Sequence, residues 1–392
     1  MYKIAINYIL FLFNPFISVF STLLTLDLRR KSSILILSLS AAIISIGVVP
    51  VFEMDLVRYY ESYEKLVNVN IFDIFSLYHF NLLVKYYVKL LSLFGIDKEF
   101  IPFIPTFLAY YLLLYSLKVF TENIQLSNKE VLYYVLAIFF AFPFMSAANG
   151  IRSGVAISIF IFGLAINSKS KTTSLIIFLI ASFVHSFVLA PIFLFLLSKF
   201  KLNSNLIKVL IISTPIPIAF GWVTLLVNSF VSILPYEIST YIHTTYITGE
   251  EWGKDVSHSF TATLANVTVK SSLFYCCIFY SLFYNTSTKI KRFFALMVLF
   301  SLWLWEFGTI SGRYQVMTTI ILPFVILESS QSKEFYINRF KVIVIICGFL
   351  ATLYSFYTYR YVFYESYLIL VKPSINIFFI PEVEIKNLIR IE

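Results

Sequence analysis

Apolar stretches of roughly 20 residues recur from one end of the chain to the other, separated by short polar or basic breaks. An α-helix of that length crosses a hydrocarbon core of about 30 Å, whereas a transmembrane β-barrel needs alternating segments of about ten residues, a pattern this chain lacks. The hydropathy pattern predicts crossings near residues 4–26, 32–52, 101–120, 131–148, 153–167, 174–185, 187–198, 206–227, 271–286, 293–309, 314–328 and 341–359. The expected fold is therefore an all-α polytopic integral membrane protein with about 12 transmembrane helices, in a range of about 10–14. Residues 4–26 are too long for a signal peptide and lack a small-residue cleavage site, so they read as the first crossing.

Basic residues orient these segments. They cluster at Arg29, Arg30 and Lys31; at Lys169 and Lys171; at Lys199, Lys201 and Lys208; at Lys289, Lys291 and Arg292; and at Lys333, Arg339 and Lys341. The positive-inside rule puts all five clusters in the cytoplasm. To keep Lys199 and Lys201 there, residues 174–198 must form a tight hairpin with His185 at its outer tip; a single crossing would invert everything that follows. Two longer segments then lie outside, 53–100 and 228–270. In the first, residues 71–97 carry an apolar face at helical spacing interrupted by His79, Lys85 and Lys89, the pattern of an amphipathic helix in the interface, with a transmembrane hairpin as the alternative. No repeat, linker or soluble domain stands out, and residues 1–392 are expected to form a single transmembrane domain.

Composition agrees with the pattern: 59% of the residues are hydrophobic and 13% charged, against about 25% charged in soluble domains. The net charge of +9 sits in the short loops, so it is a topology signal and does not point to nucleic acid. Three cysteines, two of them adjacent at Cys276 and Cys277, give no disulfide framework. Four scattered histidines give no metal cage, and the zinc-protease, Walker A, dinucleotide and serine-hydrolase motifs are absent, so no metal or cofactor is expected.

The polar residues not used as cytoplasmic anchors collect on the outer face. Arg152 and Arg313 each open a helix there, His185 caps the hairpin, Glu306 lies two turns before Arg313, and Glu53, Asp55, Arg58, Tyr59, Tyr60 and Tyr63 start the first outer segment. Ionisable groups at membrane depth are costly and mark sites or pathways. Each also has a plainer role. Arg152 can snorkel to the headgroups or belong to a Gly-x-x-x-Gly helix contact, Arg313 can neutralise Glu306, His185 can serve the turn, and the tyrosines can form an interfacial belt. Two arginine forks at helix N-termini suit a diphosphate, because the fork binds phosphate oxygens in pairs and the helix dipole favours anions. Tyr236, Tyr241, Tyr246 and Trp252 in the second outer segment offer faces on which sugar rings stack.

The stretches "FEMDLVRYYESY", "NGIRSGVAISIFIFGLAI", "ASFVHSFVLAPIFLF" and "SGRYQV", in this order over about residues 50–330, resemble the EpsG-type bacterial exopolysaccharide proteins and the related Wzy O-antigen and capsule polymerases. The shared elements are an Asp followed by tyrosines, an Asn-x-x-Arg opening a helix, a His ending the next helix but one, and an Arg opening a late helix.

The resemblance implies a fold like that of the GT-C membrane glycosyltransferases. It also implies a reaction on the outer side of the bacterial inner membrane, in which the growing glycan passes from undecaprenyl diphosphate to a lipid-linked repeat unit. On that basis Arg152, Arg313 and Arg58 are expected to bind the diphosphate, Tyr59, Tyr63 and Asn149 the glycan, and His185 or Asp55, with Glu306 behind them, to act as base. The expected partners are the undecaprenyl-diphosphate-linked oligosaccharide, the lipid bilayer and a chain-length regulator. A flippase for lipid-linked oligosaccharide and a polysaccharide O-acyltransferase are the competing functions. Flipping calls for polar groups through the midplane, whereas the charges here lie at helix ends, and acyl transfer would have His185 without a second motif.

Overall fold

The computed structural model describes residues 2–28, 30–50, 54–77, 82–233, 236, 239–240, 243–244, 264–284, 288–330, 337–360, 362 and 373–374, and every regular element among them is helical. Glu53, His79, Tyr241, Tyr246, Trp252 and most of the second outer segment lie outside the described residues. The chain divides into two compact units, one of residues 1–189 and 355–392 and one of residues 190–354.

The first unit opens with α1 (Tyr2–Phe13) and α2 (Pro15–Leu24), and here the sequence expectation fails. Residues 4–26 do not form one crossing. Asn7 Nδ2 donates to Thr25 Oγ1 at 2.8 Å, and the Ser21 hydroxyl bonds Asn7 Oδ1 at 2.6 Å. In a straight helix, residues 18 apart would be separated by about 27 Å, so the two helices must fold back on each other. The reversal sits at Asn14, extended at φ −160°, whose side chain accepts from Ile17 N, and at Pro15, whose missing N–H suits a helix start. Unbroken hydropathy hid this hairpin because its polar groups, Asn7, Asn14, Ser18 and Thr22, are spaced singly and buried inside it.

Next come α3 (Lys31–Ile46), α4 (Asp55–Leu66), α5 (Ile74–Leu77), α6 (Leu82–Leu93) and α7 (Phe103–Thr121). They are followed by α8 (Asn128–Ala141), α9 (Phe144–Ala148), α10 (Ile151–Ile166) and α11 (Lys171–Val184). Helices α3, α7, α10 and α11 pack in series, α3 on α7, α7 on α10 and α10 on α11, and the residues of α10 are almost all apolar and mostly buried. Close approach to α11 depends on Gly163, where a Cβ would stand 2.6 Å from the Phe178 ring. The predicted crossing 131–148 is broken at Phe142–Pro143, because proline bars its predecessor from the α region and ends α8.

Helix α6 has 12 residues, about 18 Å long and too short to span about 30 Å of hydrocarbon. Lys85 and Lys89, which interrupt its apolar face, point at α4: Lys85 Nζ bonds Ser62 Oγ at 2.7 Å, and Lys89 Nζ bonds the carbonyls of Leu66 and Val67 at 3.0 and 2.9 Å. A fully buried cation at the C-terminal carbonyls of α4 is matched to the negative end of that helix.

In the second unit, α12 (Leu189–Leu197) enters at Ala190 and leads to α13 (Ser204–Ser213), α14 (Pro215–Ala219) and α15 (Trp222–Ser232). The predicted crossing 206–227 is bent by 81° at Phe220–Gly221, where Gly221 takes φ +67°. Then follow α16 (Ser272–Phe283), α17 (Lys289–Trp303), α18 (Gly308–Ser330) and α19 (Ile337–Thr358), whose last residues return to the first unit.

Three helical stretches, Lys98–Thr121, Ile310–Ser330 and Ile337–Thr358, are long and apolar enough to cross a membrane, or four if the bent pair counts as one span. Several shorter apolar helices accompany them, among them α3, α10 and α11. Large apolar side chains such as Leu24, Phe183, Phe230 and Leu353 remain exposed along these helices, the surface that hydrocarbon covers.

Candidate functional site

The two stretches that carry the Asp-Tyr and Asn-x-x-Arg patterns meet in the first unit. Helix α4 is amphipathic, and Leu56, Tyr59, Tyr60 and Leu66 pack into a cluster with Met145, Ala148 and Ile151 of α9 and α10 and with Val84, Val88 and Leu91 of α6. Polar contacts fix the register. Asn149 Oδ1 accepts from Leu56 N at 2.9 Å, which satisfies one of the orphan N–H groups in the first turn of α4. Arg152 Nε donates to Tyr59 Oη at 2.8 Å. The i, i+3 spacing of Asn149 and Arg152 therefore engages the same spacing on α4, with each bond joining residues 93 apart. Asn-x-x-Arg is a two-point clamp, and Asn149 works as a cap on α4.

Backbone crowding supports the clamp. A Cβ at Gly150 would meet the Ser146 carbonyl oxygen at 2.9 Å and one at Gly154 would meet the same oxygen at 2.6 Å. Both glycines thus let α10 start directly against α9. Arg152 is the second residue of α10, whose Gly150 N-cap offers no side chain to the helix's first N–H groups. The close-contact reading of Gly-x-x-x-Gly and the placement of Arg152 at a helix start both hold.

Around this clamp stand further charges. Arg58 is 3.9 Å from Asp55, an exposed partner on a half-buried one. Lys98 pairs with Glu64 at 2.9 Å. Burial first, then the like charges of Lys65 and Arg152, lower the pKa of Lys85. The Tyr63 hydroxyl donates to the Ile96 carbonyl at 2.9 Å, and burial followed by Asp97 and Glu99 raises its pKa. Tyr59 and Tyr63 are thus held in protein contacts. Tyr359, just past α19, has its pKa raised by burial and then by Asp55.

Lys85 and Tyr359 are members of this cluster that the sequence did not single out. The interruptions at 85 and 89 were visible, but only the fold shows that they face α4. Tyr359 lies some 300 residues from Asp55 in sequence, and no local pattern signals their meeting.

The remaining candidates have contacts of their own. His185 is extended at φ −156° and ψ 120°, ends α11, and accepts from Phe187 N through Nδ1 at 3.4 Å, the turn role that the sequence allowed beside a catalytic one. Arg313 and Glu306 belong to the second unit. Glu306 accepts from Thr224 Oγ1 at 2.8 Å, where the sequence allowed a pairing with Arg313. Arg313 does not open its helix: α18 starts at Gly308, so Arg313 lies in the second turn, beyond the strongest part of the terminal dipole. Among the described residues no group of three or more His, Cys, Asp or Glu side chains is arranged to hold a metal ion.

Long apolar helices, with every regular element among the described residues helical, define a multi-pass membrane protein. Within that class the chain belongs to the EpsG family, which is linked to exopolysaccharide synthesis; the family model matches residues 33–371. The match takes in α4, α10 and α18 and leaves the α1–α2 hairpin outside. No curated protein and no solved structure matches the chain.

Proposed function

We propose that the protein is a polysaccharide polymerase of the bacterial inner membrane, acting on the outer side and transferring a growing glycan from undecaprenyl diphosphate to a lipid-linked repeat unit. The observation that carries this reading is the clamp. Arg152 is fixed through its Nε to Tyr59 at the start of α10, beside a second cation, Lys85, in a chain whose family is linked to exopolysaccharide synthesis.

In the reaction the acceptor hydroxyl oxygen bonds to the anomeric carbon of the donor glycan. The bond from that carbon to the diphosphate oxygen breaks, and the electron pair leaves with the diphosphate. Arg152 stabilises the charge that builds there, and Arg58 and Arg313 are assigned the same chemistry on their sequence context. The acceptor's proton goes to a carboxylate or imidazole. Asp55 is the first candidate because it opens the helix that Arg152 clamps, His185 is the second, and Glu306 follows. Tyr59, Tyr63 and Asn149 shape the glycan side of the site. A chain-length regulator is the expected protein partner.

The test is an electrophoretic profile of surface glycolipid from cells lacking the protein. The deletion should leave single repeat units, the unaltered protein should restore a ladder, and Arg152→Ala should fail to restore it at near-normal protein level. A ladder from Arg152→Ala removes that arginine from the chemistry, and lipid-linked units accumulating inside the cell mark a flippase.

A further inference from the structure

Two of the basic clusters, 199–208 and 289–292, converge within the second unit. Arg292 Nε donates to the Ser198 carbonyl at 3.1 Å, joining residues 94 apart, and Lys289 Nζ lies 3.6 Å from the centre of the Phe195 ring. The Phe195 and Phe293 rings meet edge to face at 5.5 Å, and α13 packs on the same helix, α17. The end of α12, the turn through Lys199 and Lys201, and the start of α13 are therefore gathered around the start of α17. Lys208 belongs to the same end. It lies in the second turn of α13, half-buried, and a helical side chain leans toward the N-terminus of its helix, so its stem carries the ammonium toward that turn.

Other basic clusters carry counter-charges of their own. Arg30 pairs with Asp27 at 3.0 Å, and Lys169 pairs with Glu122. The merged cluster is different. Among the described residues of the second unit the carboxylates are Glu306, beyond the opposite end of α17, and Glu328. Glu328 accepts from Thr288 Oγ1 at 2.8 Å and has the charge of buried Lys291 beside it. Lys199 and Lys201 are exposed, and among the described residues neither they nor Lys208 has a carboxylate within ion-pair distance.

Apolar outer faces begin at the same place. On α12 Phe195 is buried while Phe193 and Leu196 are exposed, and on α13 Ile211 is buried while Val209 and Ile212 are exposed. Each helix turns one stripe to the protein and the other outward, next to the basic turn that joins them. An anionic phospholipid matches both features, with a phosphodiester for the cations and acyl chains for the stripes. A free anion meets only the first, and a zwitterionic lipid brings its own cation to the headgroup.

We infer that Lys199, Lys201 and Lys208, framed by Lys289 and Arg292, bind the headgroup of an anionic phospholipid whose acyl chains lie on the outer faces of α12 and α13. Basic recesses between membrane helices take such headgroups, and each cation there adds to the attraction. The site lies within the second unit and does not depend on the polymerase reading.

The test uses the full-length protein in a neutral detergent, titrated with phosphatidylglycerol, phosphatidylcholine or glycerophosphoglycerol, with bound molecules counted by native mass spectrometry. Phosphatidylglycerol should occupy one site at least about tenfold more tightly than phosphatidylcholine, and glycerophosphoglycerol, which lacks acyl chains, should not be retained. Changing Lys199, Lys201 and Lys208 together to glutamine should weaken phosphatidylglycerol at least about tenfold, and changing them to arginine should leave it within about threefold. The same charge loss elsewhere, Lys31, Lys129 and Lys171 to glutamine, should leave it unchanged. Equal affinity for the two lipids, retention of glycerophosphoglycerol, or undiminished binding by the first glutamine variant overturns the inference. Equal weakening by both glutamine variants also overturns it, because that marks only the general attraction of a basic protein for anionic lipid.

A second measurement needs no variant. Acylation of amines in the unaltered protein, mapped by mass spectrometry, should show Lys199 and Lys201 shielded by phosphatidylglycerol and not by phosphatidylcholine, while exposed Lys129 stays reactive. Equal reactivity of Lys199 and Lys201 with the two lipids, or equal shielding of Lys129, contradicts the site.

Discussion

Arg152 and Arg313 look alike in the sequence. Each follows a glycine within two residues, each precedes a long apolar run, and each was expected to open a helix. The structure separates them. Arg152 is the second residue of α10 and is locked to Tyr59, with Gly150 and Gly154 pressed against the Ser146 carbonyl. Arg313 lies within α18, where a Cβ at Gly308 or Gly312 would meet nothing within 4 Å. The glycines near Arg152 are demanded by close packing and those near Arg313 are not. An arginine in an apolar run gains meaning from what its neighbours touch, and the bond from Arg152 to Tyr59, across 93 residues, fixes its direction.

The sharpest way to break this comparison is to change both arginines alike. Arg152→Lys should reduce polymer in complemented cells by at least about tenfold, because a point charge loses the bond to Tyr59 together with the fork. Arg313→Lys should reduce it less, and equal losses would mean that the clamp is not what distinguishes them.

Glycine replacements come next. Gly154→Ala forces a methyl toward the Ser146 carbonyl, 2.6 Å away, and should cost about 1–3 kcal/mol in thermal denaturation of the purified protein. Gly312→Ala has open space and should be neutral or gain up to about 1 kcal/mol of helix stability.

Asn149→Ala should cost about 1 kcal/mol by leaving Leu56 N uncapped. In a double-mutant cycle it should couple to Tyr59→Phe, since both hold α10 on α4; strict additivity would count against a common clamp.

The smallest expected effect is on pH dependence. Burial, then Lys65 and Arg152, lower the Lys85 pKa, so the unfolded chain holds that proton more tightly than the folded one. Stability should therefore rise as pH climbs from the lowered value toward the ordinary lysine value of 10.5, and Lys85→Met should flatten the rise. Denaturation midpoints against pH for the two proteins decide it.

Hydropathy made the helices legible because apolar length is a local property. It found α7, α10, α11 and α19 within a few residues and the start of α3, and the basic loops proposed an orientation for them. Chain reversals within an apolar run were harder to see. The α1–α2 hairpin turns on one Asn-Pro pair, and the 81° bend before α15 turns on one glycine, so neither changes the mean hydropathy of its segment. At the site, the patterns around Asp55, Asn149 and Arg152 were readable singly, and their docking was not. Asn149 was expected to bind the glycan, and nothing in the sequence signals that its side chain also caps α4. Lys85 was read as an interruption of a lipid-facing surface because the sequence does not reveal that α4 supplies Ser62 opposite it.

The most direct test of the central claim, that the Arg152 clamp builds the centre of glycan transfer, is a reconstituted reaction. Purified protein in proteoliposomes would receive lipid-linked repeat units, and the products would be resolved by length while helicity and thermal midpoint are followed on the same preparation. The account predicts a ladder from the unaltered protein and single units from an Arg152→Ala protein that remains folded. A ladder of normal length from that folded variant would contradict it.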